Sequence, residues 1–242
     1  MMKVIINGYD GAMGTILANL IAKLDDMEVV AGITPTGATE YLKPSDYQGP
    51  ADILIDFSHH ACTQELMDYL VARGLPAVVC TTGQTEEEMA MIAKAAESVP
   101  IFKSANMSVG VALVAKVVQE VAAKFGNCEV EILEAHHNRK VDAPSGTAII
   151  LADAVRKARP ELHDNVGRAG HAKRQPDEIG ISSIRMGNIV GMHEVMFGTN
   201  NQTITIKHEA HDRALFADGA IDAARFLVGK PAGFYNMDDL LA

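Results

Sequence analysis

Residues 3–31, KVIINGYDGAMGTILANLIAKLDDMEVVA, decide how the first part of the chain folds. Residues 4–6 are β-branched and predict a strand that ends at Asn7-Gly8. Apolar side chains then recur at helical spacing, at Met13, Ile16, Leu17, Leu20, Ile21 and Leu24;. Residues 29–31 predict a second strand. A strand, a helix and a strand within about 30 residues have the size of a βαβ crossover unit, so the pattern predicts a parallel sheet.

The alternation of strands and helices continues to about residue 102. Short apolar runs predict strands at residues 52–57, 77–80 and 101–102, and the segments between them predict helices at residues 66–72 and 86–96. Short apolar strands that alternate with helices are typical of a parallel sheet that is covered on both faces. The first part of the chain is therefore predicted to be a Rossmann-type α/β domain.

The pattern changes in the second half of the chain. We predict helices at residues 109–125, 147–158 and 214–228, strands at residues 129–136, 179–186, 193–197 and 203–211, and a polar irregular segment at residues 159–178. Polar and apolar residues alternate clearly in the last of these strands, which is typical of a sheet with one solvated face. The sequence thus predicts an α+β domain with an open, mainly antiparallel or mixed sheet. We assign residues 1–108 and 214–242 to the first domain and residues 109–213 to the second.

Composition excludes several classes of protein. The 242 residues are 48% hydrophobic, which suits one or two folded domains;. The 31 acidic and 21 basic residues give a net charge of −10, which argues against nucleic acid or an anionic membrane as a partner;. The three cysteines have no metal-pair spacing, and no export signal or membrane-length apolar run is present;. We therefore expect a cytoplasmic protein with reduced thiols and no resident metal.

The glycine-rich segment GYDGAMG, residues 8–14, lies between the first strand and the first helix. Glycines at such a turn let the backbone approach a pyrophosphate, whose charge meets the N–H groups of the helix start. The spacing is G-x-x-G-x-x-G rather than G-x-G-x-x-G, and tight turns between a strand and a helix also use glycine. The position in the first βαβ unit favours dinucleotide binding.

The end of the second predicted strand leaves the choice between NAD and NADP open. Residues 32–36, GITPT, contain neither the acid that binds a ribose 2′-hydroxyl nor an arginine;. The hydroxyls of Thr34 and Thr36 can hydrogen-bond either a hydroxyl or a phosphate, and Lys43 can reach a phosphate if its loop folds back. We expect the Asp10 side chain to point away from the pyrophosphate, because both are negatively charged.

Two further polar turns follow predicted strands. They are residues 81–83, TTG, and residues 104–107, SANM. Open α/β sheets bind ligands at the carboxyl ends of their strands, although ordinary loop chemistry explains such turns equally well.

The segment EAHHNRKVDAPSGTA, residues 134–148, contains the densest group of chemically active side chains. Ser145 can cap the helix that follows, which leaves the N–H groups of Gly146 and Thr147 directed at open space, as in an anion site. Lys140 can supply a positive charge or a proton, and an imidazole carries protons near neutral pH. A basic cluster directly before a capped helix in an acidic protein predicts a site for a carboxylate.

Other interpretations of the histidines remain. On a regular strand His136 and His137 point to opposite faces, so both would not line one pocket. A zinc site lacks matching third and fourth ligands. Residues 59–62, HHAC, have metal-ligand spacing but are better interpreted as a polar loop. For His193, His208 and His211, in the second domain's predicted strands, a structural role is the default expectation.

Residues 134–148 closely resemble the signature of the 4-hydroxy-tetrahydrodipicolinate reductases, also called dihydrodipicolinate reductases. The resemblance covers essentially the whole chain, through GYDGAMG at 8–14, DFS at 56–58, Thr82-Gly83, NMSVG at 106–110, Arg185 and Gly187, His208 to Arg213, and the tail at 235–241. Where members that prefer NADH often carry an acid, this chain has Pro35. Ala12 replaces a basic residue of many members, and Cys80 replaces a common glycine.

The resemblance implies reduction of 4-hydroxy-tetrahydrodipicolinate to tetrahydrodipicolinate by NADH or NADPH, in the diaminopimelate and lysine pathway, by a homotetramer. It implies that His136 is a proton donor or acceptor and that Lys140 is a proton donor. The implied substrate-binding residues are His137, Lys140, Ser145, Gly146 and Thr147. The implied cofactor-binding residues are Gly8, Tyr9, Asp10, Gly11, Ala12, Met13, Thr34, Thr36, Cys80, Thr81, Thr82, Ser104, Ala105, Asn106 and Met107.

Two rival functions share parts of this pattern. Another two-domain NAD(P)-dependent reductase, such as one of the glucose-fructose oxidoreductase type, would share the Rossmann half but not the Pro-Ser-Gly-Thr turn. A non-catalytic dinucleotide-sensing protein would be expected to have lost His136 or Lys140, and both are present.

Overall fold

The computed structural model describes all residues, 1–242, and contains eleven strands and seven helices. In chain order these are β1 (Met2–Asn7), α1 (Ala12–Ile21), β2 (Met27–Ile33), β3 (Ile53–Asp56), α2 (Thr63–Arg73), β4 (Ala77–Val79), α3 (Glu86–Ala96), β5 (Pro100–Lys103), α4 (Val109–Lys124), β6 (Glu129–His136), α5 (Gly146–Ala158), β7 (His163–Val166), β8 (Glu178–Arg185), β9 (Gly191–Gly198), β10 (Thr203–Ala210), α6 (Ala214–Leu227), β11 (Gly233–Tyr235) and α7 (Met237–Leu240). Single 3-10 turns lie at Pro44–Asp46 and His60–Cys62.

The elements form two compact units. The first comprises Met1–Ser108 together with Ala214–Ala242, and the second comprises Val109–Arg213. No helix combines the length and the apolar character that are needed to cross a membrane.

The first unit is built on a six-stranded sheet of order β11-β5-β4-β3-β1-β2, in which every neighbouring pair is parallel. All four residues of β3 and of β5 are buried, as expected for strands that are covered on both faces;. Because the strands are parallel, the turns that follow β1, β2, β3, β4 and β5 all leave from the same edge. The predicted Rossmann-type sheet is confirmed.

The second unit is built on a five-stranded sheet of order β10-β9-β6-β8-β7. The β10–β9 and β9–β6 pairs are antiparallel, whereas the β6–β8 and β8–β7 pairs are parallel. Helices α4 and α5 contribute Val118, Leu151 and Val155 to a core with Val130 and Phe197 of the sheet. The predicted mixed sheet is therefore confirmed, and β6 and α3 have the predicted bounds.

Three elements differ from the sequence-based prediction. Strand β7 lies inside the segment that we predicted to be irregular, because three of its four residues, HDN, are polar and the strand is mostly exposed. Strand β11 has three residues, and α7 forms one short turn with Asn236 as its cap. These elements have too few apolar residues to give a periodic pattern, and both strands are formed by pairing with a single neighbour at a sheet edge.

Candidate active site

The glycine loop between β1 and α1 requires glycine at two positions. Gly8 has a φ of +84°, and a Cβ there would lie 2.4 Å from the carbonyl oxygen of Phe57. A Cβ on Gly14 would lie 2.1 Å from the carbonyl oxygen of Gly8. Helix α1 begins at Ala12, and Gly11 at its N-cap provides no side-chain hydrogen bond. The first N–H groups of α1 therefore lack a capping side chain, as an anion-binding helix start requires.

Asp10, in the same loop, is bonded to the end of β2. The hydroxyl of Thr34 donates to one carboxylate oxygen of Asp10 at 2.5 Å, and that of Thr36 donates to the other at 2.5 Å. Both hydrogen bonds lower the pKa of Asp10, and the one from Thr34 has the larger effect. The two hydroxyls that the sequence left available to a cofactor thus donate to Asp10 instead.

Asp56 lies at the carboxyl end of β3 in a buried polar network. Its Oδ1 accepts from the Asn7 amide at 2.9 Å and from the Ser58 hydroxyl at 2.6 Å. Burial raises the pKa of Asp56, although these hydrogen bonds oppose the rise. Lys103, at the end of β5, donates to the carbonyl of Thr81 at 2.8 Å, and burial lowers its pKa. Sequence reasoning gave Asp56 and Lys103 no role, although a lysine that ends a buried apolar strand was a usable signal.

The other predicted cofactor turns, which follow β4 and β5, are compact. Cys80 is buried, and burial raises the pKa of its thiol well above the usual range. The Ser104 hydroxyl donates to the carbonyl of Asn106 at 2.8 Å, and the Asn106 side chain accepts from the N–H of Ser108 at 2.8 Å. Residues 81, 82 and 105 lie in these turns, and Met107 is buried. Every predicted cofactor residue is therefore in the first unit, at the carboxyl edge of its sheet.

The second unit contains a cluster centred on Glu134, a fully buried residue of β6. One carboxylate oxygen accepts from Nδ1 of His136 at 2.6 Å and from Arg185 at 2.8 Å. The other accepts from Arg185 at 2.6 Å and from the N–H of Ser145 at 3.1 Å. We call Glu134, His136, Arg185 and Ser145 the Glu134 cluster.

The charge on Glu134 fixes the protonation of its neighbours. Burial opposes ionisation, yet the hydrogen bonds from Arg185 and His136 outweigh it and lower the pKa of Glu134 to about 2. An ionised carboxylate only accepts hydrogen bonds, so Nδ1 of His136 carries a hydrogen. Nε2 of His136 then faces Gly191, where a Cβ would lie 3.2 Å away. Sequence reasoning assigned no role to Glu134 or Arg185.

His193 of β9 supports the cap of α5. Its Nε2 lies 3.0 Å from the Ser145 hydroxyl, which accepts the N–H of Ala148 at 3.2 Å. Burial lowers the pKa of His193 to about 4, so its ring is neutral at pH 7. The predicted cap is confirmed. A Cβ built on Gly146 meets no heavy atom within 4 Å, so the space before the start of α5 is open on that side.

The remaining predicted substrate residues follow β6 directly. The strand ends at His136, so the alternation of faces does not extend to His137, whose N–H donates to the carbonyl of Ile189 at 2.7 Å. Burial lowers the pKa of His137, and the cations Arg139 and Arg213 add to the effect. The Lys140 ammonium lies 2.8 Å from a carboxylate oxygen of Asp142. Positions 136, 137, 140 and 145–147 are thus gathered in the second unit, around the end of β6 and the start of α5.

Two groups of residues contain side chains of the types that bind metal ions. Ligand atoms of Glu134, His136 and His193 lie within 4.8 Å of one another. The Arg185 guanidinium already engages both oxygens of Glu134, and its positive charge opposes a cation there. In the His59-His60 loop, Nδ1 of His60 lies 3.0 Å from Glu88 of α3, which fits the polar-loop interpretation.

Family models match almost the whole chain. Residues 2–107 match the model described as dihydrodipicolinate reductase, N-terminus, and residues 110–241 match that for the C-terminus. The chain belongs to the dihydrodipicolinate reductase family. This membership confirms the resemblance found in the sequence and the predicted NAD(P)H-dependent oxidoreductase class.

Individual members of the dihydrodipicolinate reductase family are similar to this chain along its full length. The chain is 40% identical to the 4-hydroxy-tetrahydrodipicolinate reductase of Clostridium tetani over 250 residues, covering 100% of this chain and 97% of that protein. It is 41% identical to that of Caldanaerobacter subterraneus subsp. tengcongensis over 247 residues, covering 100% and 98%. The predicted reductase function is confirmed at this level, whereas the roles of individual residues stay predictions.

Solved structures confirm the fold. The dipicolinate-bound dihydrodipicolinate reductase from Paenisporosarcina sp. TG-14 superposes with a TM-score of 0.83 at 24% identity, covering 98% of this chain and 97% of that one. A myo-inositol dehydrogenase from Corynebacterium glutamicum reaches a TM-score of 0.60 at 17% identity, covering 100% and 92%. The rival two-domain reductases thus share the architecture, while the family models select the dihydrodipicolinate reductases.

Proposed function

We propose that this chain reduces 4-hydroxy-tetrahydrodipicolinate to tetrahydrodipicolinate, with His136 as a proton donor or acceptor and Lys140 as a proton donor. The first unit would bind NADH or NADPH, and the second would bind the substrate and form the contacts between subunits. The observation that carries the proposal is the Glu134 cluster, in which one buried carboxylate holds both the His136 ring and the start of α5. Glu134 thereby fixes the position of a proton-transferring imidazole relative to an anion-binding turn.

The substrate is a dicarboxylate, so its recognition requires two negative charges to be neutralised. One carboxylate would meet the start of α5, where Ser145 caps the helix and the space in front of Gly146 is open;. His137 and Lys140, on the segment between β6 and α5, would contact the substrate beside it. The Lys140 ammonium forms an ion pair with Asp142 at 2.8 Å, which restricts the positions that this cation can take.

The chemistry requires a hydride, a proton and the loss of water. Loss of the ring hydroxyl as water leaves a conjugated imine, and hydride addition builds electron density along its carbon–nitrogen unit, which Lys140 would stabilise. A proton must then be delivered to carbon. Nε2 of His136 is the ring atom that can accept or donate it, because Nδ1–H is held by Glu134;.

The glycine loop fits a dinucleotide. Gly8 and Gly14 leave no room for a Cβ, and the uncapped start of α1 offers N–H groups to a pyrophosphate;. Residues of the glycine loop, of the end of β2 and of the turns after β4 and β5 would line the cofactor, as the sequence predicts. When bound, the reduced nicotinamide supplies the hydride.

The reaction is tested with substrate generated in place from pyruvate and aspartate semialdehyde by the preceding synthase. Oxidation of NADH and NADPH is followed by absorbance for the wild type, for Lys140→Ala and for Lys157→Ala, an exposed lysine of α5 that serves as the control. We expect Lys140→Ala to lower turnover by about 10²–10⁴-fold and Lys157→Ala to leave it unchanged. Near wild-type turnover of Lys140→Ala would remove the assigned role.

A pyridine dicarboxylate separates this function from dinucleotide sensing. The compound is titrated into the protein with and without reduced cofactor, and the heat of binding is measured. A reductase should bind it more tightly when cofactor is present, because hydride transfer requires both ligands to be bound at the same time. A sensing protein should bind cofactor and ignore the dicarboxylate.

We also propose a homotetramer in the cytoplasm. The support for assembly is an apolar groove between α4 and the edge strand β10, lined in part by Val117, Val121, Phe125 and Ile204. The three cysteines are free thiols, which suits a reducing compartment;. Sedimentation equilibrium tests the assembly: the wild type should have the mass of four chains, and Ile204→Asp should lower it.

A further inference from the structure

Asp10, Thr34 and Thr36 form a distinct acidic group at the nucleotide end of the first unit. The carboxylate of Asp10 lies between the two threonine hydroxyls, each of which donates to a different oxygen at 2.5 Å. Thr34 is buried, whereas Asp10 and Thr36 are exposed. We call these three residues the Asp10 clamp.

The Asp10 clamp lies where α/β dinucleotide-binding units recognise the ribose of adenosine. In those units an acid near the end of the second strand hydrogen-bonds the 2′-hydroxyl, or an arginine accommodates a 2′-phosphate. Strand β2 ends at Ile33, and its carbonyl accepts the N–H groups of Gly8 and Tyr9 at 2.9 and 3.1 Å. The loop that carries Asp10 is therefore fastened to the end of β2, and it brings a carboxylate to an edge whose own residues 32–36 contain none.

The charge of the Asp10 clamp is not neutralised by the protein. Asp10 forms no ion pair, and its carboxylate accepts hydrogen bonds only from neutral groups: the two hydroxyls and its own backbone N–H. A carboxylate has about four acceptor positions, so capacity remains for a further donor. Lys43 forms no ion pair with Asp10. Its backbone N–H donates a hydrogen bond to the Asp46 carboxylate.

We propose that the Asp10 clamp makes this enzyme select NADH over NADPH. The remaining acceptor capacity of Asp10 would bind a ribose hydroxyl, and its unpaired negative charge would repel a 2′-phosphate. The selection thus comes from an acid in the glycine loop rather than from the acid that such units usually carry at the end of β2. The inference rests on the proposed dinucleotide function of the first unit.

Binding of nucleotide fragments tests the Asp10 clamp without reference to turnover. ADP-ribose and 2′-phospho-ADP-ribose are titrated into the wild type, Asp10→Asn and, as a matched control, Asp25→Asn, an exposed aspartate of the same unit. We expect the wild type and Asp25→Asn to prefer ADP-ribose by at least about tenfold in Kd. Asp10→Asn should lose most of that preference, mainly by binding the phosphorylated fragment more tightly.

The wild type alone provides a second measurement, which does not depend on the folding of a variant. Its preference for ADP-ribose should shrink as salt rises from about 0.05 to 0.5 M, because the repulsion of the 2′-phosphate is a screened charge effect. Equal binding of both fragments by the wild type, or an unchanged preference in folded Asp10→Asn, would overturn the Asp10 clamp while leaving dinucleotide binding intact. Failure of the wild type to bind either fragment, NADH or NADPH would instead overturn the proposed function.

Discussion

The glycine loop of the first unit and the Glu134 cluster of the second hold their functional groups by different means. In the loop, the backbone can pack closely because two residues have no side chain: a Cβ at Gly8 or Gly14 would lie 2.4 or 2.1 Å from a carbonyl oxygen. In the cluster, one buried carboxylate orients an imidazole, a guanidinium and a helix start. The loop should therefore be sensitive to added volume and the cluster to removed charge.

The largest effect is expected from removing Glu134. Glu134→Ala leaves the half-buried Arg185 guanidinium and the buried His136 ring without their partner, and empties the space of a fully buried side chain. It should lower the free energy of unfolding by about 3–5 kcal/mol, as measured by urea denaturation. Turnover should fall as well, because the His136 ring loses its anchor. Glu129→Gln, at an exposed position of the same strand, is the control and should change neither quantity. A loss below about 1 kcal/mol would mean that charge does not organise this region.

The pH dependence of stability tests His193, which contacts Ser145 of the Glu134 cluster. The pKa of His193 is lowered from 6.5 to about 4, so the unfolded chain binds more protons than the folded chain between these values;. This contribution to stability is present above about pH 6.5 and is lost as pH falls towards 4, by up to about 3 kcal/mol. Urea denaturation at pH 7.5, 6 and 5 should show the loss. His193→Gln should flatten the dependence in this window, and an equal slope in both proteins would contradict the assignment.

Added volume in the glycine loop should have a somewhat smaller effect on folding. Gly8→Ala imposes both a positive φ and a clash with Phe57, and should lower the free energy of unfolding by about 1–3 kcal/mol and weaken NADH binding;. Gly74→Ala also has a positive φ, of +61°, but meets nothing within 4 Å. It should lower stability less and leave NADH binding unchanged. Fluorescence titration with NADH separates the two variants, and equal affinities would show that the clash is unimportant.

The smallest effect is expected from the cap of α5. Ser145→Ala removes the hydroxyl that accepts from Ala148 and should lower the free energy of unfolding by about 1 kcal/mol;. KM for the substrate should rise while cofactor affinity is unchanged, because the cap lies in the second unit. Ser145→Thr keeps a hydroxyl and should restore most of both. A KM that stays constant in Ser145→Ala would remove this turn from the carboxylate site.

Local patterns made much of the fold predictable from the sequence. Strand β6 and helix α3 have their predicted bounds, because polar and apolar residues alternate in the strand and the first turn of the helix is acidic. The glycine loop was predictable because its close backbone turn requires glycine at particular positions, which the sequence shows directly. Strands β7 and β11 were not predicted, because pairing with a single neighbour, rather than their own residues, makes them strands.

The partners within the candidate site were harder to predict. His136, Lys140 and Ser145 are close in sequence and were identified together. Arg185 is 51 residues from Glu134 and meets it only because β6 and β8 pair in parallel, with His136 opposite Arg185. Asp10 meets Thr34 in a similar way, across 24 residues and the pairing of β1 with β2. Such contacts depend on strand order, which composition and spacing do not encode.

The division of the first unit into two chain segments has a consequence for synthesis on the ribosome. Helix α6 carries Ala217, Ala220, Ile221 and Leu227 into the core of that unit, and β11 completes its sheet. Both are translated after the whole of the second unit. Nascent residues 1–108 therefore cannot complete their fold, and keep an apolar face exposed, until residues 214–242 emerge. Residues 109–213 form one continuous segment, so the second unit can fold as soon as they have been translated. The second unit is therefore expected to fold first, and the nascent chain to be most prone to aggregation before residues 214–242 have emerged.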